Sequence, residues 1–318
     1  MKEIGGYIEF EYFHGYMLHG DGIKLDCGRS CLAYLIKAKG IDCLAMPSFM
    51  CDAVFDLCSE HNVKMDFYDV SYDLKPISPK VKEGAYLYLC NYYGQLNEQD
   101  IAAYRDRYRK VIVDNTQAYF AEPVTGVDTI YTCRKYFGVP DGGILYSSDV
   151  LHEEIEQAES FDQMLYLMGR FERTASEFYE NSSFNNDRFK GQPVKRMSKL
   201  TENLLHGLDY EYIKQRREEN FDFLHAAFKE RNRLTLKKVP GPFAYPLLID
   251  EASDAATIRK KLAIEKIYVP ILWQNVVNAE QKKRTDYDLA MNILPIPCDQ
   301  RYGIPEMGYL TEMIKSFL

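Results

Sequence analysis

The sequence lacks the features that mark several large classes of protein. No apolar run approaches the ~18 residues of a membrane span. The opening stretch, MKEIGGYIEFEYFHGY, has no apolar core of the kind a secretion signal needs, so the chain is expected in the cytoplasm. Positive charge is not in excess: 39 Lys and Arg stand against 47 Asp and Glu, a net charge of −8. That balance argues against non-specific nucleic-acid binding, which needs basic surface. The cysteines, Cys27, Cys31, Cys43, Cys51, Cys58, Cys90, Cys133 and Cys298, form no C-x-x-C pair. Without that spacing they read as buried small hydrophobes rather than zinc ligands. The histidines at 14, 19, 61, 152, 206 and 225 form no pair at helical ligand spacing, so no metal centre is expected. Internal repeats and low-complexity tracts are also missing.

What is present suits a large core. Apolar residues make up 46% of 318 positions, enough for one large domain and a smaller one. The 25 tyrosines are expected in core and interface packing, each with a hydroxyl handle. Residues 1–20 read as an extended arm with a short strand. Beyond them, short apolar runs alternate with helical patterns. Strands are expected at Cys43–Met46, Val63–Val70, Ala85–Cys90, Val111–Val113, Thr129–Thr132 and Ile144–Tyr146. Helices are expected from Ser30 to Gly40, over Asp52–Glu60, and from Asn97 to Tyr108. This alternation predicts an α/β fold with a mostly parallel sheet covered on both faces. After Asp149 the pattern turns helical to 180, and 181–197 reads as a polar mobile loop. One long amphipathic helix is expected over Ser198–Arg231. A small α/β unit closes the chain, with strands at Phe243–Ile249 and Ile267–Val269 and helices at Asp254–Ile264 and Pro305–Leu318.

The stretch from 110 to 148 carries the chemistry. A buried strand ends on Asp114, Gln117 follows, and a second strand runs through Thr132 into Lys135. Gly142 and Gly143 then turn the chain into a third apolar run. An acid at one strand end and a lysine past the next suit a pyridoxal 5′-phosphate (PLP) enzyme. There the lysine forms a Schiff base and the acid keeps the pyridine nitrogen protonated. The segments 47–51, 91–93, 114–117 and 132–135 all follow strand ends, where open α/β sheets bind ligands. Before the helix that stops at Gly40, Gly28, Arg29 and Ser30 form a turn whose backbone N–H groups suit a phosphate. A Ser at that place also serves as an ordinary helix cap.

Several segments, in order, resemble the DegT/StrS class of PLP-dependent sugar aminotransferases. CGRSCLAYLI (27–36) is similar to the phosphate-binding turn and helix, and MPSFMCDAVF (46–55) to the Pro-Ser-aromatic loop. NYYGQ (91–95) is similar to the "HLYGQ" loop, and VIVDNTQAYF (111–120) to the "EDAAQA" segment. TCRKYFGVPDGGILY (132–146) is similar to the Ser/Thr-x-x-Lys segment and its Gly-Gly strand. LPIPCDQRYGIPEM (294–307) resembles the closing strand and last helix.

The resemblance implies a fold-type I PLP transferase. Its divisions are an arm (1–20), a large PLP-binding domain (21–215) and a small C-terminal domain (216–318). It implies an amino group moved from an amino acid, L-glutamate by expectation, to a nucleotide-linked keto-sugar in a cytoplasmic homodimer. Lys135 is the implied covalent anchor and proton shuttle, and Asp114 the partner of the ring nitrogen. Gln117 is placed near the phenolic side of the ring, and Thr132, Arg29 and Ser30 at the phosphate. Tyr93 and Asn91 either line the pocket or brace their loop. Three departures stand out. Cys51 occupies the place of a stacking aromatic, which Phe49 would otherwise supply. Val194 in VKRM (194–197) replaces an Asn that reaches the neighbouring subunit, and the chain is shorter than many members. The alternatives are another PLP reaction, such as sugar dehydration, or a non-catalytic binding protein on a decayed enzyme fold. Lys135 argues against dehydration, since that branch carries histidine there.

Overall fold

A computed structural model of the chain describes residues 4–250, 254–279 and 284–318. The elements in its first half are β1 (Ile23–Leu25), α1 (Gly28–Lys39), β2 (Cys43–Pro47), α2 (Asp52–Glu60), β3 (Lys64–Val70), β4 (Pro76–Ile77), β5 (Tyr86–Cys90) and α3 (Glu98–Tyr108). Next come β6 (Val111–Asp114), β7 (Asp128–Thr132) and β8 (Gly143–Tyr146), then helices α4 (Leu165–Glu172), α5 (Tyr179–Asp187), α6 (Lys199–His206) and α7 (Tyr210–Phe228). The chain closes with β9 (Tyr245–Leu248), α8 (Ala255–Ile264), α9 (Gln274–Asn278), α10 (Arg284–Asn292), β10 (Ile293–Ile296) and α11 (Ile304–Phe317).

β1 to β8 form one sheet in the order β1-β8-β7-β6-β5-β2-β3-β4. The central pairs β3/β2, β2/β5, β5/β6 and β6/β7 are parallel, and the outer pairs are antiparallel. β6 and β7 are buried at every residue, which follows from helices covering both faces. From β2 the chain moves outward to β3, then returns to β5 on the other side of β2. That reversal opens a crevice beyond the carboxyl ends of β2 and β5, with β6 and β7 alongside. α1 ends as its sequence indicates: Gly40 takes a left-handed backbone, φ 58°, and its N–H returns to the last turn. α3 begins with a reciprocal cap between Asn97 and Asp100.

A second core gathers on the two-stranded sheet of β9 and β10. It includes Phe221, Leu224 and Phe228 of α7, Leu262 of α8, and Leu310 and Ile314 of α11. Burying side chains of this size stabilises by about 1.5–3 kcal/mol each before entropy is counted. Among the described residues no helix is long and apolar enough to cross a membrane.

Four expectations are corrected. α5 occupies 179–187, so the first part of the supposed loop is helical, anchored by buried Asn185 donating to Pro140 O at 2.9 Å. The long helix from 198 to 231 is two helices: α6 ends at Gly207, and Asp209 caps α7 by accepting from Tyr212 N. Ile267–Val269 forms no strand; β10 pairs with β9 instead, antiparallel from Ile293↔Leu248. The described part of the arm before β1 contains no strand and is tied to α6, where Asn203 accepts from Phe13 N and donates to Glu11 O.

Candidate active site

The first turn of α1 meets the end of β7. Cys27 is the N-cap, and Ser30 lies inside the turn with its N–H on Cys27 Sγ, so Ser30 is not the cap residue. Gly28 stands so close to Thr132 that a Cβ there would lie 2.5 Å from Thr132 Oγ1. The Thr132 hydroxyl makes no hydrogen bond within the described chain and stands beside the open N–H groups of α1. A hydroxyl and helix N–H groups converging across a glycine suit a phosphate dianion. The fit to the phosphate of PLP therefore rests on this cradle.

Asp114, at the end of β6, is 5% exposed. Its Oδ2 accepts from Tyr88 Oη at 2.8 Å and its Oδ1 from Thr116 N at 2.8 Å. Each oxygen keeps a lone pair, so the carboxylate is oriented but still able to accept a pyridinium N–H. Lys135 ends a single 3-10 turn directly after β7. It is exposed, not buried as expected of a Schiff-base lysine, because its side chain opens into a cavity of about 1350 Å³. Within the described chain it makes no hydrogen bond or ion pair, and its Nζ lies 5.7 Å from the Phe243 ring centre.

Lys135 and Asp114 share one neighbourhood. Both act on the thiols of Cys51 and Cys90, which burial raises; the lysine opposes the rise and the carboxylate adds to it. Cys51, the N-cap of α2, therefore lies within electrostatic reach of both groups. Phe49 is fully buried, with its ring 4.2 Å from Trp273 and 5.1 Å from Tyr92. Lys110 sits at the other end of the sheet, where it donates to Gly84 O at 3.1 Å.

Other expected residues brace the walls. Gln117 Oε1 accepts from Tyr93 N at 2.9 Å and holds Tyr93 in a left-handed backbone, φ 51°. Asn91 exchanges hydrogen bonds with Leu96 and donates to Asn115, so it ties its loop together. The Arg29 side chain turns away from Thr132 to donate to Asn186 O at 3.1 Å, near the Phe189 ring that Arg134 and Arg188 also flank. Val194 is buried, and Arg196 of the same segment bridges to Leu25 of β1. Among the described residues no cluster of three or more His, Cys, Asp or Glu is placed to hold a metal, and no cysteine is paired.

Sequence reasoning missed Tyr88, Phe243 and Arg217. Arg217 had a legible signal: it interrupts the apolar stripe of α7 between Ile213 and Phe221 at four-residue spacing.

No family model matches the chain, and no curated protein does either. Solved structures do. A DegT DnrJ EryC1 StrS aminotransferase from Brucella abortus aligns over 93% of this chain and 85% of its own, at 16% identity and TM-score 0.60. DesV of S. venezuelae aligns over 96% and 90%, at 14% identity and TM-score 0.65. NtdA of Bacillus subtilis, solved with bound cofactor PMP, aligns over 93% and 72%, at 14% identity and TM-score 0.64. The chain has the fold-type I fold of these aminotransferases.

Proposed function

We propose that this chain is a PLP-dependent aminotransferase. In this reading it moves an amino group from an amino acid, L-glutamate, to a nucleotide-linked keto-sugar for polysaccharide or amino-sugar biosynthesis. The observation that supports it is the close approach of Gly28 to Thr132 at the start of α1, with Asp114 and Lys135 at the carboxyl ends of the adjacent strands β6 and β7. The likeness to the solved sugar aminotransferase CalS13 supports the substrate class, and the likeness to the PMP form of Spr1654 supports the cofactor.

PLP supplies an electron sink for the pair left behind when a proton leaves the carbon bearing the amino group. The backbone N–H groups at the start of α1, that of Arg29 among them, would hold its phosphate together with the Ser30 and Thr132 hydroxyls, while the Arg29 side chain serves Asn186. Asp114 keeps a proton at the pyridine nitrogen, steadied by Tyr88 and Thr116. Cys51 and Gln117 bound the ring site, Cys51 as a small side chain against it. Lys135 would hold the cofactor covalently through its amine, and that amine, once free, would serve as the general acid and base of the site.

The large domain takes residues 21–215 and the small one 216–318. The working unit is a cytoplasmic homodimer with each site near the interface. The exposed aromatic side chains Tyr7, Tyr12, Tyr16, Phe171 and Phe184 are the surface such a dimer would cover.

The test is spectroscopic and chemical. The purified chain with PLP should absorb near about 420 nm, and borohydride should abolish that band. Peptide mapping should then place one pyridoxyl group on Lys135. A label elsewhere, or none, overturns the reading. L-glutamate should shift the band without borohydride, and a panel of nucleotide-linked keto-sugars should restore it selectively.

A further inference from the structure

Nothing in the described chain grips the Lys135 ammonium, so its place is set by the neighbouring backbone and by the Phe243 ring. The next residue, Tyr136, is clamped. Its carbonyl accepts from Gln300 Nε2 at 2.8 Å and from Arg217 Nη2 at 3.2 Å. Arg217 Nη1 donates to the carbonyls of Pro242, at 2.9 Å, and Phe243, at 3.4 Å. Its Nε donates to Gln300 Oε1 at 2.8 Å, and its guanidinium lies 4.5 Å from the Tyr136 ring centre. One planar fork therefore ties three segments: the turn with Lys135, the stretch with Phe243, and the loop after β10.

This arrangement is costly by itself. Arg217 is 1% exposed, and its acceptors are all neutral. The nearby acid, Asp299, is engaged by Arg301 at 2.6 and 2.8 Å. Burial holds the Arg217 guanidinium below its ordinary pKa. A buried cation without an ionic partner is a poor way to stabilise a core, where an apolar side chain of similar volume does as well or better. What an apolar side chain cannot do is fix several carbonyls in one plane.

We infer that Arg217 and Gln300 are positioning residues for Lys135, holding the Tyr136 carbonyl and the Phe243 backbone so that the amine stands at a fixed place beside the crevice. This rests on the reading of Lys135 as the covalent anchor. Both residues line the cavity, but the contacts that matter here lie within the protein.

The full chain, stripped of cofactor, is treated with PLP and cyanoborohydride. Pyridoxyl incorporation is followed at Lys135 and, as internal reference, at exposed Lys199. In the wild type Lys135 labels first. Gln300→Leu removes both the donor to Tyr136 and the acceptor for Arg217. It should slow labelling at Lys135 by about tenfold or more, with Lys199 and the melting transition little changed. Arg217→Lys, which keeps a charge but not the fork, should act in the same direction. Wild-type labelling of Lys135 in Gln300→Leu overturns the inference, as does a fall shared by Lys199 or a lost melting transition. A wild-type chain in which Lys135 does not label ahead of Lys199 overturns the functional reading itself.

Discussion

At the scale of single residues, two carboxylates behave differently. Asp114 is oriented by Tyr88 and Thr116. Asp114→Asn should fold, because an amide oxygen still accepts one of those hydrogen bonds. It cannot hold a cationic ring by charge, and losing that contact should cost about 1.5–3 kcal/mol, a fall of roughly ten- to a hundredfold in turnover. Steady-state kinetics beside a melting curve checks this, and an unchanged rate would remove Asp114 from the site. Asp26 is a stability residue instead. Burial is the main reason its carboxyl is pushed up to about 6; Asp141 adds to the push, while Ser30 and Arg188 oppose it. A raised folded-state value means the folded chain binds the proton more tightly than the unfolded chain. The stabilisation is complete below the unfolded value of about 3.9 and is lost as pH rises through about 6. Asp26→Asn is neutral throughout, so its stability relative to wild type should grow between about pH 4 and about pH 7, by roughly 3 kcal/mol. Urea unfolding at both ends of that window measures it. A constant difference would show that Asp26 titrates normally.

At the scale of elements, the start of α1 and the end of β7 make one device. Gly28 is the small residue that lets Thr132 approach the helix. Gly28→Ala puts a Cβ where the Thr132 hydroxyl stands, so the hydroxyl must move and the cradle closes. PLP affinity should fall by about tenfold or more, as expected when one charge-assisted hydrogen bond is lost. The cofactor-free chain should melt close to wild type, since only a side-chain rotamer has to change. Titration of the cofactor band separates these outcomes, and undiminished affinity would place the phosphate elsewhere. The Gly143 position is less forgiving. A Cβ there would meet the Cys27 backbone at 2.5 Å, so β8 can lie against α1 only with glycine at that point.

At the scale of the whole molecule, exposed apolar side chains lie on the arm and on the α4–α5 segment. Ile4 and Tyr7 are each 96% exposed and Phe171 is 90% exposed. Surfaces of this kind generally mark an association site. Sedimentation of the purified chain should give the mass of two chains at assay concentration. A strictly monomeric and active species would refute the dimer.

The sequence by itself determined the layering and which residues stand at the strand ends. Continuous apolar runs made β5, β6 and β7 recognisable as interior strands, and strand ends are where such sheets collect ligands. While the roles proposed for Asp114, Thr132 and Lys135 came from the family resemblance, their strand-end placement was therefore legible from local pattern. So were the boundaries of α2 and the Gly40 stop, which depend on neighbours a few residues away. Only the tertiary structure decided where side chains turn. Arg29 leaves the phosphate side for Asn186, 157 positions along the chain, and Gln117 serves the Tyr93 turn. The Tyr136 carbonyl is held by Gln300 across 164 positions and by Arg217 across 81. Periodicity records the period of a residue's own element and the side it buries. It carries no information about which distant donor packing brings to a given carbonyl, because that pairing depends on the relative placement of segments that never adjoin in sequence.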